Sequence, residues 1–307
     1  MGVHRAGFVA IVGRPNAGKS TLLNALLGEK VAIVTPKPQT TRDRIMGVLT
    51  RPGAQLAFVD TPGFHQGKKA LNKHLVHVAL SVLGDVDVVL MLVDVTRTGP
   101  EPGAEDAALL DAVRAATRPT VLVFNKVDQV DKATLYPLVQ AWSALAPWRA
   151  VVPVSALHHD GLDRVLNELS ACLPESPPLF DDDTLTDRPI RFLVAELLRE
   201  QLMLALGEEL PYSVAVEIMR YAERPDGNIV DIAATIHVER DSQKPIVLGK
   251  GGETIKAVGA AARLEMEKLI GRKVFLETHV RVEPNWTRSA KGLRKLGYQV
   301  QRPGGRR

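Results

Sequence analysis

The sequence predicts a doubly wound α/β domain followed by a smaller α+β module, and three observations carry that prediction. Short apolar runs alternate with amphipathic stretches as far as about Leu173. A glycine-rich loop of phosphate-binding pattern stands between the first apolar run and the first helical pattern. The alternation then stops at a proline-rich segment, after which helices and strands follow in a different order.

Taken in order, the apolar run 8–12 leads into Gly13-Arg14-Pro15-Asn16-Ala17-Gly18-Lys19-Ser20, and Leu22, Leu23, Ala25 and Leu26 open a helix. In such a loop successive backbone N–H groups close around phosphates, Lys19 reaches the outer phosphate oxygens and Ser20 is placed to ligate Mg²⁺. The helix start adds its positive dipole end. Gly13, Asn16, Ala17, Gly18, Lys19, Ser20 and Thr21 are therefore the expected phosphate-contacting set. Further runs at 56–60, 86–93, 120–124 and 150–154 are apolar on both faces, as strands of a covered parallel sheet are. Helical periodicity fills 71–83, 104–116, 135–145 and 162–173. Ligands of such a sheet sit at the carboxyl ends of its strands.

The chain has 307 residues, 45% hydrophobic and 24% charged, enough for two packed domains and unlike disordered or fibrous chains. Its single cysteine, Cys172, excludes an internal disulfide and reads as a packing residue. No apolar run approaches the ~20 residues that span a bilayer, and the immediate entry into the first strand leaves no room for a secretory leader. A cytoplasmic protein is expected. Ala6 stands where an acylation signal after Met1-Gly2 requires Ser or Thr. The net charge of +4 is unevenly spread, since Arg288, Lys291, Arg294, Lys295, Arg302, Arg306 and Arg307 follow Trp286 with no acidic residue among them. Such a run suits a polyanion.

Three more motifs stand at strand ends. Asp60-Thr61-Pro62-Gly63 offers a carboxylate to hold magnesium and, at Gly63, an N–H for a third phosphate. Asn125-Lys126-Val127-Asp128 offers a carboxylate that can accept from guanine N1–H and N2–H, donors that adenine lacks. A carboxylate left unpaired by the wrong base penalises that base strongly. Asn125 would brace the loop and base edge, the Lys126 stem would cover the ring, and Ser155-Ala156 would place an N–H for guanine O6. Asp128 also argues against a metabolic kinase. His65, His158 and His159 read as loop histidines.

These four motifs in this order resemble the translation-factor-related GTPases. In that resemblance Thr40-Thr41-Arg42-Asp43 is the first switch and Thr41 closes on Mg²⁺, so Ser20, Thr41 and Asp60 form the metal set and Lys19, Thr41, Gly63 and Asn16 the catalytic set. Segments 34–44 and 63–69 would then be held by the third phosphate and released on hydrolysis. Where Ras-like enzymes carry a water-orienting glutamine this chain has Phe64, like the subgroup in which Asn16 helps bind K⁺, with carbonyls around Thr35 and Lys37 completing the shell. Slow intrinsic turnover of GTP to GDP is expected.

Pro174, Pro177 and Pro178, followed by Asp181-Asp182-Asp183, break the pattern. The expected division is a nucleotide domain over 1–173, a linker over 174–188 and a second domain over 189–307. In the latter a helix over 189–206, strands over 214–221 and 229–238, a glycine loop over 248–252, a long helix to about 270 and a strand over 273–282 are expected. Gly249-Lys250-Gly251-Gly252 lacks the G-K-[ST] ending of a phosphate loop and fits the G-x-x-G turn of a K-homology (KH) module, which clamps a single-stranded backbone.

Across essentially its whole length the sequence resembles the Era family of bacterial ribosome-assembly GTPases. Pro38-Gln39-Thr40-Thr41-Arg42 and the stretch Ile246-Val247-Leu248-Gly249-Lys250-Gly251-Gly252-Glu253 are its most specific marks. Asn285-Trp286 and Leu293-Arg294-Lys295-Leu296-Gly297-Tyr298 also match that family's end. The resemblance implies a P-loop GTPase doubly wound sheet followed by a KH-type RNA-binding domain. It implies GTP-dependent binding near the 3′ end of small-subunit (16S) ribosomal RNA during maturation of the 30S particle, and peripheral inner-membrane contact. A monomer is expected. The alternative is a C-terminal module that docks a protein or membrane surface. The extension Pro303-Gly304-Gly305-Arg306-Arg307 departs from the family pattern and would strengthen phosphate contacts.

Overall fold

The computed structural model describes residues 4–38, 40–63, 81–207, 210–296 and 298. Two compact units divide between Asp187 and Arg188.

The first unit is built on six strands, β1 (Arg5–Gly13), β2 (Ile45–Arg51), β3 (Ala54–Asp60), β4 (Val88–Asp94), β5 (Thr120–Asn125) and β6 (Ala150–Pro153), in the order β2-β3-β1-β4-β5-β6. Every residue of β3, β4 and β5 is buried, as expected of strands covered on both faces. Helices α1 (Lys19–Leu27) and α4 (Leu162–Cys172) cover one face. On the other, α2 (Ala104–Ala116) and α3 (Lys132–Ser143) supply Leu109, Leu110, Val113, Leu138 and Trp142 to a core with Ala10, Val12, Val89, Met91, Leu122 and Phe124. Trp142 packs edge-on against Phe124, centroids 5.9 Å apart.

The sheet corrects one expectation. It is mixed, because β2 runs antiparallel to β3 with Arg51 opposite Ala54. This strand directly follows the segment read as switch, and its signal was the Pro52-Gly53 turn, where Gly53 takes φ 77°. The expected helix over 71–83 lies outside the described residues apart from a 3-10 turn at Val82–Gly84.

Residues 174–187 run over this first unit. Ala6 N donates to Pro174 O at 3.2 Å, Val48 N donates to Leu185 O at 2.9 Å, and the Gln55 side-chain oxygen accepts from the backbone N–H groups of Leu179 and Phe180. Phe180 meets Phe8 edge-on.

The second unit contains α5 (Ile190–Ala205), β7 (Ala215–Glu223), β8 (Ile229–Val238), α6 (Lys244–Leu248), α7 (Glu253–Ile270), β9 (Lys273–Val282) and α8 (Ala290–Lys295). Its sheet runs β7-β8-β9, antiparallel then parallel. Leu198, Leu202, Val230, Ile232, Ala234, Ile236, Val258, Ala262 and Met266 form its core. Trp286 is fully buried, donates from its indole N–H to Ser213 O at 3.0 Å and stacks on Tyr298. The residues after 298 lie outside the described chain.

Candidate nucleotide and nucleic-acid sites

The sheet delivers the first-unit motifs to one edge, since the 13–20 loop follows β1 and Asp60, Asp94 and Asn125 end β3, β4 and β5. A cavity there is lined by Asn16, Gly18, Lys19, Ser20, Thr41 and Gly63, among others, which brings together most of the residues expected to hold phosphate and metal. The Lys19 ammonium donates to Gly13 O at 3.1 Å and Arg14 O at 3.0 Å. Burial pushes its pKa down to about 8, opposed by Asp60.

Asp60 is fully buried, and burial raises its pKa against the pull of Lys19. Ser20 Oγ donates to Asp60 Oδ2 at 2.7 Å, and Thr41 Oγ1 lies 2.8 Å from Ser20 Oγ and 3.3 Å from Asp60 Oδ2. The other carboxylate oxygen, Oδ1, is buried with no hydrogen-bond partner among the described residues. One carboxylate and two hydroxyls, all hard oxygens, suit Mg²⁺, which keeps few protein ligands. Among the described residues no cluster of His, Cys, Asp and Glu offers a competing metal site.

Gly63 approaches the phosphate loop so closely that a Cβ on it would lie 2.7 Å from Pro15 Cα, so only glycine fits. Asn16 takes φ 63°, donates from Nδ2 to Pro36 O at 2.8 Å and receives the Lys126 ammonium on its carbonyl at 2.9 Å. Phe64 and His65 lie outside the described residues, as does Gln39.

Asn125 is a brace. Its Nδ2 donates to Ala17 O at 2.8 Å and its Oδ1 accepts from Ala156 N at 3.0 Å, tying the phosphate loop to the Ser155-Ala156 turn. Ser155 Oγ donates to Asp128 Oδ1 at 2.6 Å, and that bond holds the Asp128 carboxyl below its ordinary pKa. His158 lies at the rim, its Nε2 3.9 Å from Asp128 Oδ2. Sequence reasoning missed Asp94, whose Oδ2 accepts from Lys126 at 2.6 Å. It also assigned nothing to the Arg14 side chain, which bonds Glu105 and Asp106 at the start of α2. The available signal for Asp94 was an acidic residue ending a wholly apolar strand, as Asp60 does.

In the second unit Gly249, Lys250, Gly251 and Gly252 link α6 to α7. Gly251 and Gly252 take φ 61° and 81°, the left-handed region that glycine enters without strain. A Cβ at Gly251 would meet nothing within 4 Å, and at Gly252 only Lys256 Cε at 3.9 Å, so this backbone is open to close approach. Beside it a groove of about 340 Å³ between α7 and β9 is lined by Ile255, Lys256, Gly259, Arg263, Leu276 and Thr278, among others. These groove residues were not foreseen from the sequence.

Comparison with known proteins places both units in known families. The family described as 50S ribosome-binding GTPase matches residues 8–126 and the KH domain family matches residues 209–287. GTPase Era of Geobacter metallireducens is 49% identical over 294 residues, 96% of this chain and 98% of that one. GTPase Era of Ruminiclostridium cellulolyticum is 42% identical over 299 residues, 97% and 99% of the two chains. Among solved structures, Era in complex with MgGDPNP and nucleotides 1506–1542 of 16S ribosomal RNA superposes with a TM-score of 0.92 at 39% identity, covering 97% of this chain and 100% of that one. A variant of Aquifex aeolicus Era bound to GDP·AlF4⁻ gives 0.92 and 39%, covering 96% and 100%. With a P-loop GTPase unit, a KH unit and near-complete coverage at this identity, the chain belongs to the Era family of GTPases.

Proposed function

We propose that this protein is a GTP-hydrolysing switch that binds the 3′ region of small-subunit ribosomal RNA and assists 30S maturation. The observation that carries the reading is the presence, in one chain matching Era over nearly its whole length, of the Ser20, Thr41 and Asp60 oxygen cluster and an open glycine turn beside a groove. The experiment that tests it is RNA binding in the two nucleotide states.

Ser20, Thr41 and Asp60 would hold Mg²⁺, which when bound supplies positive charge against the phosphates. Lys19 neutralises phosphate charge from a site where burial has already stripped its water. Thr41 links the metal site to the first switch, so loss of the third phosphate loosens that segment. Asp128 reads the guanine edge, and Asn125 fixes the loops that frame it.

Asn16 lines the same cavity as Thr35 and bonds Pro36 O, between Thr35 and Lys37, so its neutral amide oxygen and the carbonyls of Thr35 and Lys37 would supply the donor type that suits K⁺. Exchange of K⁺ for Na⁺ should slow turnover in the unsubstituted protein and leave Asn16→Ala unchanged; equal rates in both salts would remove the K⁺ role. In the second unit the glycine turn clamps the RNA backbone, the groove takes bases, and Lys256 and Arg263 add charge. A cytoplasmic monomer, meeting the inner membrane peripherally through its basic C-terminal residues, is the state proposed. No helix among the described residues is long and apolar enough to cross a membrane. Sedimentation of the purified protein with and without anionic vesicles tests both: a dimer, or no vesicle association, would remove the corresponding proposal.

A further inference from the structure

We infer that Asp94 is a positioning residue for guanine-nucleotide binding, holding Lys126 across the phosphate loop so that its stem is ordered before the base arrives. This rests on the guanine-nucleotide reading of the site. Strand register sets the geometry, because Asp94 closes β4 directly beside Asn125 at the end of β5, and Lys126 follows that pair by one residue. Val95 N donates to Asn125 O at 3.2 Å and fastens the two strand ends together.

Asp94 is 8% exposed. Its Oδ1 accepts from Thr96 N at 3.0 Å and Thr96 Oγ1 at 2.6 Å, which fixes the plane of the carboxylate. Its Oδ2 accepts from Lys126 Nζ at 2.6 Å, and the same ammonium donates to Asn16 O at 2.9 Å. Two acceptors anchored in different loops therefore hold the end of the lysine. Lysine has more rotamer freedom to lose than most side chains, so ordering its stem in advance removes that cost from the binding step. The hold extends further, because Asn16 carries the lysine on its carbonyl and reaches Pro36, within the 34–44 switch segment, with its amide. Base recognition and the switch segment thus share one residue, and Asp94 secures the lysine that steadies it.

The test is GDP titration of the full-length protein in four forms: unsubstituted, Asp94→Asn, Lys126→Met and the double variant. Asparagine keeps an oxygen for the Thr96 bonds while turning an N–H₂ toward the ammonium, so it removes the hold with little change of shape. Asp94→Asn should weaken GDP binding by about tenfold, the worth of one charge-assisted bond. In the Lys126→Met background the same change should add less than about twofold, because Asp94 acts through the lysine. Asp94→Ser, which retains a hydroxyl oxygen for the Thr96 bonds and is too short to reach Nζ, carries the same expectations if Asp94→Asn does not fold. Unchanged affinity in the single variant, or a full tenfold loss repeated in the Lys126→Met background, would overturn the inference. An unsubstituted protein with no affinity for GDP would instead overturn the nucleotide reading itself.

Discussion

Ser20 and Asp60 share a hydrogen bond of 2.7 Å between the helix that follows the phosphate loop and the end of β3, and the second oxygen of Asp60 is buried there with no hydrogen-bond partner among the described residues. Asp60→Asn would remove the charge and bury an N–H₂ without an acceptor. The Mg²⁺ concentration for half-maximal GTP hydrolysis should rise by at least about tenfold, a change of about 1.4 kcal/mol. Thr41→Ala, which touches the switch more than the loop, should cost about 10²-fold in kcat while GDP affinity changes little. Magnesium titrations of turnover would show both, and an unchanged magnesium requirement in Asp60→Asn would refute the metal assignment.

The hydrogen bond from Ser155 favours the ionised form of Asp128, the carboxylate that the proposed function sets against the guanine edge. Asp128→Ala should lower GDP affinity by about 1–3 kcal/mol, the cost of leaving polar partners unmatched, and should narrow the gap between GDP and ADP. Competition of both nucleotides against labelled GDP checks this. Retained preference for GDP in the variant would place base recognition elsewhere.

Lys19 gives a pH signature. Burial lowers its pKa from 10.5 to about 8 in the folded chain, so between those values the unfolded chain binds more protons and the folded state gains stability as pH rises. Nucleotide phosphate reverses the shift by stabilising the charged ammonium. GDP affinity should therefore fall as pH rises through about 8, with proton uptake on binding. Calorimetry at pH 8.5 in buffers of different ionisation heat measures that uptake, which Lys19→Met should abolish. Uptake that persists in Lys19→Met would assign the proton to another group.

The glycine turn of the second unit can be blocked without touching the nucleotide site. Asp at Gly251 and Gly252 would add negative charge and side chains at φ 61° and 81°, where only open space and Lys256 lie nearby. The double variant should lose at least about tenfold in RNA affinity while intrinsic GTP turnover stays within about twofold. Filter binding and phosphate release separate the two. Unimpaired RNA binding would mean that the module docks something other than RNA.

Much of this was legible in the sequence, for physical reasons. Strands such as β4 and β5 are buried on both faces and show as unbroken apolar runs, and β8 and β9 begin and end where their β-branched patterns do. The residues that the fold gathers at the 13–20 loop were legible because such a loop motif fixes residue type and spacing. The strand β2 was not, because Gly47 interrupts it and the first switch precedes it. Asp94 was not, because its partner Lys126 is 32 residues away and only strand register brings them together. The α7 and β9 groove is likewise a product of packing, with no local motif to announce it.

The most direct single measurement is the affinity of the purified protein for a short RNA from the small-subunit 3′ end, with GDP and with a non-hydrolysable GTP analogue, against a scrambled RNA. Tighter, sequence-dependent binding in the GTP-like state is expected, because the third phosphate holds the switch. Equal, weak binding to both RNAs in both nucleotide states would contradict the coupling of switch to clamp.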